Sequence, residues 1–192
     1  TQAIVISLDS LKNYLDVVLD QDPRGVIFDE SHMVKSIGAK RTQAALELAN
    51  YIKENNEFPF VAAVSATPMP NRPAELWSQL VITGMDEPIV DHMNKRQKFK
   101  SRVQLKTGAD WTVPINDNLK FDIRYCKGKA GRFGWDNKGS SNETELADLL
   151  YDNGLIRRKK FEFITPLPPL HQDFIHCKIS KEDMYAYKIA EE

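Results

Sequence analysis

Two adjacent carboxylates, Asp29 and Glu30, close the apolar run Val26-Ile27-Phe28, and His32 follows two places later. An acid delivered by a strand end can hold a divalent cation, and a second acid beside it can orient and deprotonate an attacking water. Another polar group, Ser65-Ala66-Thr67, closes the run Phe60-Val61-Ala62-Ala63-Val64. In open parallel sheets ligands bind beyond the carboxyl ends of the strands, so two such ends converge on one crevice. The acid pair would serve equally as an ordinary strand end capping the segment after it. The pair alone does not decide.

The elements that must position these groups alternate along the chain. Residues 3–8, "AIVISL", read as a strand covered on both faces, with Asp9 or Ser10 capping a helix whose apolar positions are Leu11, Tyr14, Leu15, Val18 and Leu19. "GVIF" is a second strand, and "KRTQAALELANYIKEN" a helix with Ala44, Ala45, Leu48, Ala49 and Ile52 on one face. "FVAAVSA" is a third strand. Asn71 or Arg72 then caps a helix with Pro73 in its first turn. Such alternation predicts an α/β fold with a mostly parallel sheet and flanking helices over residues 1–85. Residues 86–141 lack a long helical period and read as a basic insertion of loops and short pieces. From Asn142, which forms a capping-box pattern with Glu145, residues 142–192 return to helix, a proline-rich stop, the strand "DFIHCKI" and a final helix from Ser180.

Charge is unevenly spread. Residues 1–94 carry 7 Lys/Arg against 13 Asp/Glu, residues 95–138 carry 12 against 4, and residues 139–192 carry 7 against 10. A basic block in an acidic chain suits a polyanionic partner. The block also holds Phe99, Trp111, Phe121, Tyr125, Phe133 and Trp135, aromatics that either stack on exposed bases or form a small core under a basic surface. Cys126 and Cys177 are far apart and read as free intracellular thiols. No basic-then-apolar leader opens the chain, and no apolar run approaches the roughly 20 residues that cross a bilayer. An intracellular protein with no membrane partner is therefore expected, in the cytoplasm of a prokaryote or a phage-infected cell or in a nucleus.

"VIFDESHMVKS", "KRTQAALELA" and "VSATPMPNRPAELWSQL" resemble, in order and spacing, the SWI/SNF-type branch of the superfamily-two helicase-like ATPases. The first is similar to a DEAH box with Ser31 where alanine is usual, and the third resembles the motif III region in its "SAT" spelling. "GWDNKGSSN" and "RRKK" with "LPPL" further resemble the annealing-helicase subgroup. Leu170 departs from the lysine usual there, and Phe161-Glu162-Phe163 from a more polar run. Both departures bear on contacts between lobes.

The resemblance implies a RecA-like first motor lobe using ATP and magnesium on double-stranded or forked DNA. It assigns water-mediated magnesium coordination to Asp29, activation of water to Glu30, and coupling of nucleotide to DNA to His32, Ser65, Ala66 and Thr67. Arg157 and Arg158 match paired arginines near the lobe's end, implying interlobe contacts. Lys127, Lys129, Arg132 and Lys138 are the DNA-binding candidates from the basic block, and Ser7 another from a motif Ib-like strand end. No G-x-x-x-x-G-K-[ST] loop occurs in these 192 residues. The motor's phosphate loop and second RecA-like lobe are thus expected as partners. A binding or scaffolding relic without hydrolysis is the competing reading. The polypeptide by itself is expected not to turn over ATP, and DNA-stimulated phosphate release that disappears in Glu30→Gln would overturn this.

Overall fold

In a computed structural model, which describes residues 3–104, 112–132, 134–159 and 180, the chain forms two units, Thr1–Ile156 and Arg157–Glu192. The acid pair lies in the first. Strand β1 (Gly25–Phe28) pairs in parallel with β2 (Phe60–Ala63), and Val26 stands opposite Val61 and Phe28 opposite Ala63. Side chains alternate across the pair. Phe28 enters the core with Val26 and Val61 packed beside it, while Ile27 and Phe60, on the other face, remain 63% and 57% exposed.

Helix α1 (Leu8–Leu19) and helix α2 (Lys40–Asn55) close over the core face. Helix α2 has the bounds and the face that its spacing predicts: Ala44, Ala45, Leu48, Ala49 and Ile52 are all buried. Its three alanines take little room and so let α1 approach closely. On α1 the expectation is corrected at Tyr14, which is exposed, whereas Leu11, Leu15 and Val18 are buried.

Residues 3–7 are not a strand, contrary to the sequence reading. They make no ladder among the described residues, Val5 is 98% exposed, and Ser7 is the N-cap of α1. The Ser7 hydroxyl accepts the Ser10 N–H at 3.2 Å, so local capping takes the residue that the pattern placed at a strand end. β-Propensity describes a fit to a pleated neighbour, and here no neighbour among the described residues is paired.

After β2 a 3-10 turn (Pro73–Leu76), with Arg72 as N-cap and Pro73 in its first turn as expected, leads into α3 (Trp77–Thr83), which ends on Gly84 in the left-handed region. Helix α3 belongs to two cores. Ile82 joins the one beneath β1, while Leu76, Trp77 and Leu80 face a second core built by α4 (Asp86–Arg96), α5 (Asp117–Tyr125) and α6 (Glu143–Asp152). Trp77, Phe121 and Tyr125 form a tilted aromatic row, with centroids 5.3 and 5.1 Å apart. Residues 86–141 are thus more helical than expected. Their apolar signal is thin: α4 buries only Ile89 and Met93, α5 only Phe121, Asp122 and Tyr125. Two short antiparallel pairs complete the segment, β3 (Arg102–Gln104) with β4 (Thr112–Pro114) and β5 (Lys129–Gly131) with β6 (Gly134–Asp136).

Polar groups fasten this second core. Asp122, 2% exposed, accepts Trp135 Nε1 and Asn137 Nδ2, each at 2.9 Å, and burial still holds its carboxyl above the usual range. Gly128 passes directly over it: a Cβ there would lie 2.7 Å from the Asp122 carbonyl carbon, and its N–H donates to the Asp122 carbonyl. The capping box expected at Asn142 and Glu145 does not form. Asn142 lies at φ 50° and donates from Nδ2 to the Arg124 carbonyl. Glu145 accepts Arg124 at two oxygens, 2.7 and 2.5 Å, and the Tyr125 hydroxyl at 2.8 Å. A bidentate guanidinium outcompetes a single local amide.

The Arg124 hydrogen bonds hold the Glu145 carboxyl down at about 2, well below its ordinary 4.5. A depressed carboxylate contributes stability that is present above its unfolded pKa and lost as pH falls through the folded one. Urea midpoints should therefore fall between pH 4.5 and 2. Glu145→Gln should flatten that limb and cost about 2–3 kcal/mol at pH 7, by stranding a largely buried guanidinium. An unchanged acid limb in the variant would refute the assignment.

Candidate functional site

The parallel pairing does not stop where the strands do. Val64 N–H donates to the Phe28 carbonyl and Ser31 N–H to the Val64 carbonyl, each at 2.9 Å. These two bonds bring the loop carrying Asp29, Glu30 and His32 alongside the loop carrying Ser65, Ala66 and Thr67, which are 33 or more residues away in the chain. Between the two bonds the backbone turns sharply. Glu30 lies at φ 48°, ψ 47°, a left-handed conformation that an L-residue with a long side chain enters at a cost of roughly 1–2 kcal/mol. The turn releases the carboxylates from strand alternation and leaves both exposed. Asp29 Oδ1 accepts the Glu30 N–H at 2.9 Å, which braces the turn and keeps the rest of the carboxylate open to water.

A 3-10 turn (Ser31–Val34) follows at once and aims His32 back across the site. Its Nδ1 lies 3.1 Å from Glu30 Oε2 and 3.2 Å from Ser65 Oγ. Beside an ionised carboxylate Nδ1 must carry the proton, because a lone pair there would face the Glu30 oxygens. That single N–H is then shared between Glu30 and Ser65. Ser65 Oγ also accepts the Thr67 N–H at 3.1 Å. One imidazole therefore joins the second acid to the serine of the opposite loop, and a movement of either loop changes the surroundings of Glu30.

The remaining predicted residues lie elsewhere. Ser7 caps α1. Lys127, Lys129, Arg132 and Lys138 are all exposed and surround the β5–β6 hairpin. Arg157 and Arg158, exposed, belong to the second unit. Of the aromatics in the basic block, Phe121 and Tyr125 are buried core residues, Phe99 packs partly buried against that core, and Trp135, also partly buried, is tied to Asp122. Trp111, Phe133, Cys177 and the elements read over 160–179 and 181–192 lie outside the described residues.

The sequence reading missed the buried supports of these loops. Ser31, 1% exposed, donates from Oγ to Gln79 Oε1 at 2.8 Å, and Ser78 Oγ donates to the Val34 carbonyl at 2.5 Å. Arg72 Nη1 reaches Asn137 Oδ1 at 3.1 Å and so links the loop after β2 to the β5–β6 hairpin. Two adjacent polar residues, Ser78 and Gln79, near the start of a mostly apolar helix were the available signal. A cavity of about 460 Å³ lies near the amino end of β2, lined by Lys53, Asp86 and Glu87 among others, away from the acid pair.

The whole chain, residues 1–192, matches the family model described as the SNF2-related domain. It is 30% identical over 172 residues to "SWI/SNF-related matrix-associated actin-dependent regulator of chromatin subfamily A-like protein 1 homolog" of Caenorhabditis elegans, covering 90% of this chain and 20% of that protein. It is 32% identical to the Xenopus laevis protein of corresponding name, over 85% of the chain and 14% of the relative. To the human "DNA annealing helicase and endonuclease ZRANB3" it is 33% identical, over 82% of the chain and 12% of the relative. The chain thus spans a fifth or less of the length of these relatives. No solved structure matches.

The strain at Glu30 yields a stability test. Glu30→Gly should raise the free energy of unfolding by about 0.5–1 kcal/mol, because glycine enters the left-handed region without the Cβ penalty. Urea denaturation reads this. A destabilised variant would mean that the His32 contact outweighs the strain.

Proposed function

The chain belongs to the SNF2-related family, near its annealing helicases, and we propose that it forms part of the first RecA-like lobe of a DNA-dependent ATPase and translocase. The observation that carries the reading is the pair of exposed acids on the strained turn after β1, held by His32 to Ser65 of the neighbouring loop. In this reading ATP is the substrate. Glu30 is the base that takes a proton from the attacking water, and its exposed carboxylate suits that work. Asp29 suits magnesium held through water: it is one open carboxylate, and no cluster of three metal-ligating side chains surrounds it among the described residues. When bound, the ion would neutralise charge on the phosphates.

His32, with Ser65, Ala66 and Thr67, passes loop position to Glu30. Residues 1–85 are the lobe proper, 86–141 the basic insertion, and 142–192 the return to the lobe and the link onward. Arg157 and Arg158 serve contact between lobes. Ile27 and Phe60, left exposed on one face of the parallel pair, suit coverage by further elements of the motor. Burying the surface each still exposes would contribute roughly 1–2 kcal/mol.

Double-stranded or forked DNA is the proposed partner, approached by Lys127, Lys129, Arg132 and Lys138. No helix among the described residues is long and apolar enough to cross a membrane. The relatives named above are animal proteins whose names concern chromatin and DNA annealing, which suits an intracellular, DNA-bound setting and lends no support to a prokaryotic or phage one.

The full-length protein should hydrolyse ATP faster with duplex or forked DNA, and Glu30→Gln should lower kcat about 10²–10⁴-fold. Alanine at Lys127, Lys129 and Arg132 together should reduce the salt slope of DNA binding by up to about 3. Absence of DNA-stimulated hydrolysis in the full-length protein would favour a binding relic instead.

A further inference from the structure

We propose that Ser31 and Gln79 are positioning residues, a buried bridge that sets the acid loop against the loop after β2 and so tunes the response of hydrolysis to DNA. The inference rests on the ATPase reading above. His32 and Ser65 join the two loops at a partly exposed point. Beneath them runs a second connection. Ser31 Oγ donates to Gln79 Oε1 at 2.8 Å, and Gln79 Nε2 donates to the Pro68 carbonyl at 2.6 Å and to the Glu75 carbonyl of its own helix turn at 3.2 Å. Pro68 directly follows Thr67, and Ser31 lies between Glu30 and His32.

The amide has one orientation. Two carbonyls face its nitrogen and a hydroxyl faces its oxygen, so turning it over would set Oε1 against two acceptors. Every polar atom of Gln79 is thereby used, although the side chain is 4% exposed. An apolar side chain of similar volume would fill the same space without desolvating an amide, so Gln79 is poorly accounted for by packing alone. Its geometry is accounted for by the join: one end meets the box loop, 48 residues away in sequence, and the other the loop 11 residues before it.

The backbone bond from Ser31 N–H to the Val64 carbonyl pins the same residue from the other side. Ser31 is therefore held by both its amide and its hydroxyl, and each hold runs to the segment that carries Ser65 and Thr67. A shift of residues 65–68 then reaches the Glu30–His32 turn along two routes, the imidazole and the amide. Only the second is shielded from solvent.

The test is steady-state ATP hydrolysis by the full-length protein with and without duplex DNA, for wild type, Ser31→Ala, Gln79→Leu and the double variant. The readout is the ratio of DNA-stimulated to DNA-free rate, together with KM for ATP. A loss of folded protein lowers both rates alike and cancels in the ratio. Each single variant should lower the ratio about 10-fold with KM for ATP within twofold, and the double variant should be no worse than Gln79→Leu. Unchanged ratios, or additive losses in the double variant, overturn the proposal. Should Gln79→Leu fail to fold, Ser31→Ala, which deletes one oxygen, decides by itself. A wild type that lacks DNA-stimulated hydrolysis, or a Glu30→Gln variant that retains it, defeats the ATPase reading instead.

Discussion

Two hydrogen bonds at the ends of β1 and β2, from Val64 to Phe28 and from Ser31 to Val64, hold the acid loop against the loop of Ser65. They are parallel-ladder bonds, so their register is the register of the strands. A slip of one residue would exchange the faces of the pair, placing Ile27 in the core and Phe28 outside. Phe28 is 3% exposed and Ile27 63%, so that exchange would forfeit the burial of the largest buried side chain of that core. Hydrophobic burial on one face therefore fixes, at a distance of one residue, where Asp29 and Glu30 emerge. The polar groups do not choose their own position. The core chooses it for them, and the left-handed turn at Glu30 is a local cost which that packing outweighs.

Helix α3 carries the same logic outward. It spans only Trp77–Thr83, yet its side chains divide three ways: Ile82 into the core beneath β1, Trp77 and Leu80 into the second core, Ser78 and Gln79 into the loops. A short helix with no exposed face of its own cannot rotate to favour one contact without losing another. The loops at the acid pair and the helices of residues 86–152 are consequently held against one common wall. The Arg72–Asn137 hydrogen bond, tied on to Asp122, makes a second attachment between the same parts. A load on the β5–β6 hairpin thus has a polar route to the loop that holds Ser65.

Legibility followed whether local chemistry had a rival. Helix α2 was readable to its ends because its alanine and leucine spacing meets one core and nothing contests it. Strands β1 and β2 were readable as apolar runs bounded by polar residues, and Pro73 declared the first turn of its helix. "AIVISL" misled because propensity cannot report whether a partner strand is paired there. Helices α4 and α5 were hidden because two or three buried residues each give no visible period. Asn142 and Glu145 carried a valid local signal that Arg124, 18 and 21 residues earlier, overrode. The acids and Ser65 could be placed at strand ends from type and spacing, and the family resemblance added His32, but neither gave the turn that unites them: a glutamate in the left-handed region has no sequence signature. Gln79 left only a faint signal, since with Ser78 it makes a polar pair that a helix ordinarily carries on its surface.

Composition also overstated the charge offered to a polyanion. Arg124 counts among the twelve basic residues of 95–138, yet both carboxylate oxygens of Glu145 occupy it, and Lys120 is paired with Asp117 at 2.7 Å. Cations paired in this way add less to the field beyond the fold than their count implies. Of the exposed basic residues, Lys127, Lys129 and Lys138 are gathered by topology. Gly139 lies so close to Lys127 that a Cβ there would meet the Lys127 Cβ at 3.0 Å, which brings Lys127 and Lys138 beside one another, with Lys129 starting the hairpin between them. The region proposed to meet DNA is therefore the β5–β6 hairpin, with Arg132 in its turn and Lys127 and Lys138 flanking it. It is also the region joined through Asn137 and Arg72 to the loop of Ser65. The basic residues could be named from the charge block, but their hydrogen-bonded connection to the loop of Ser65 could not.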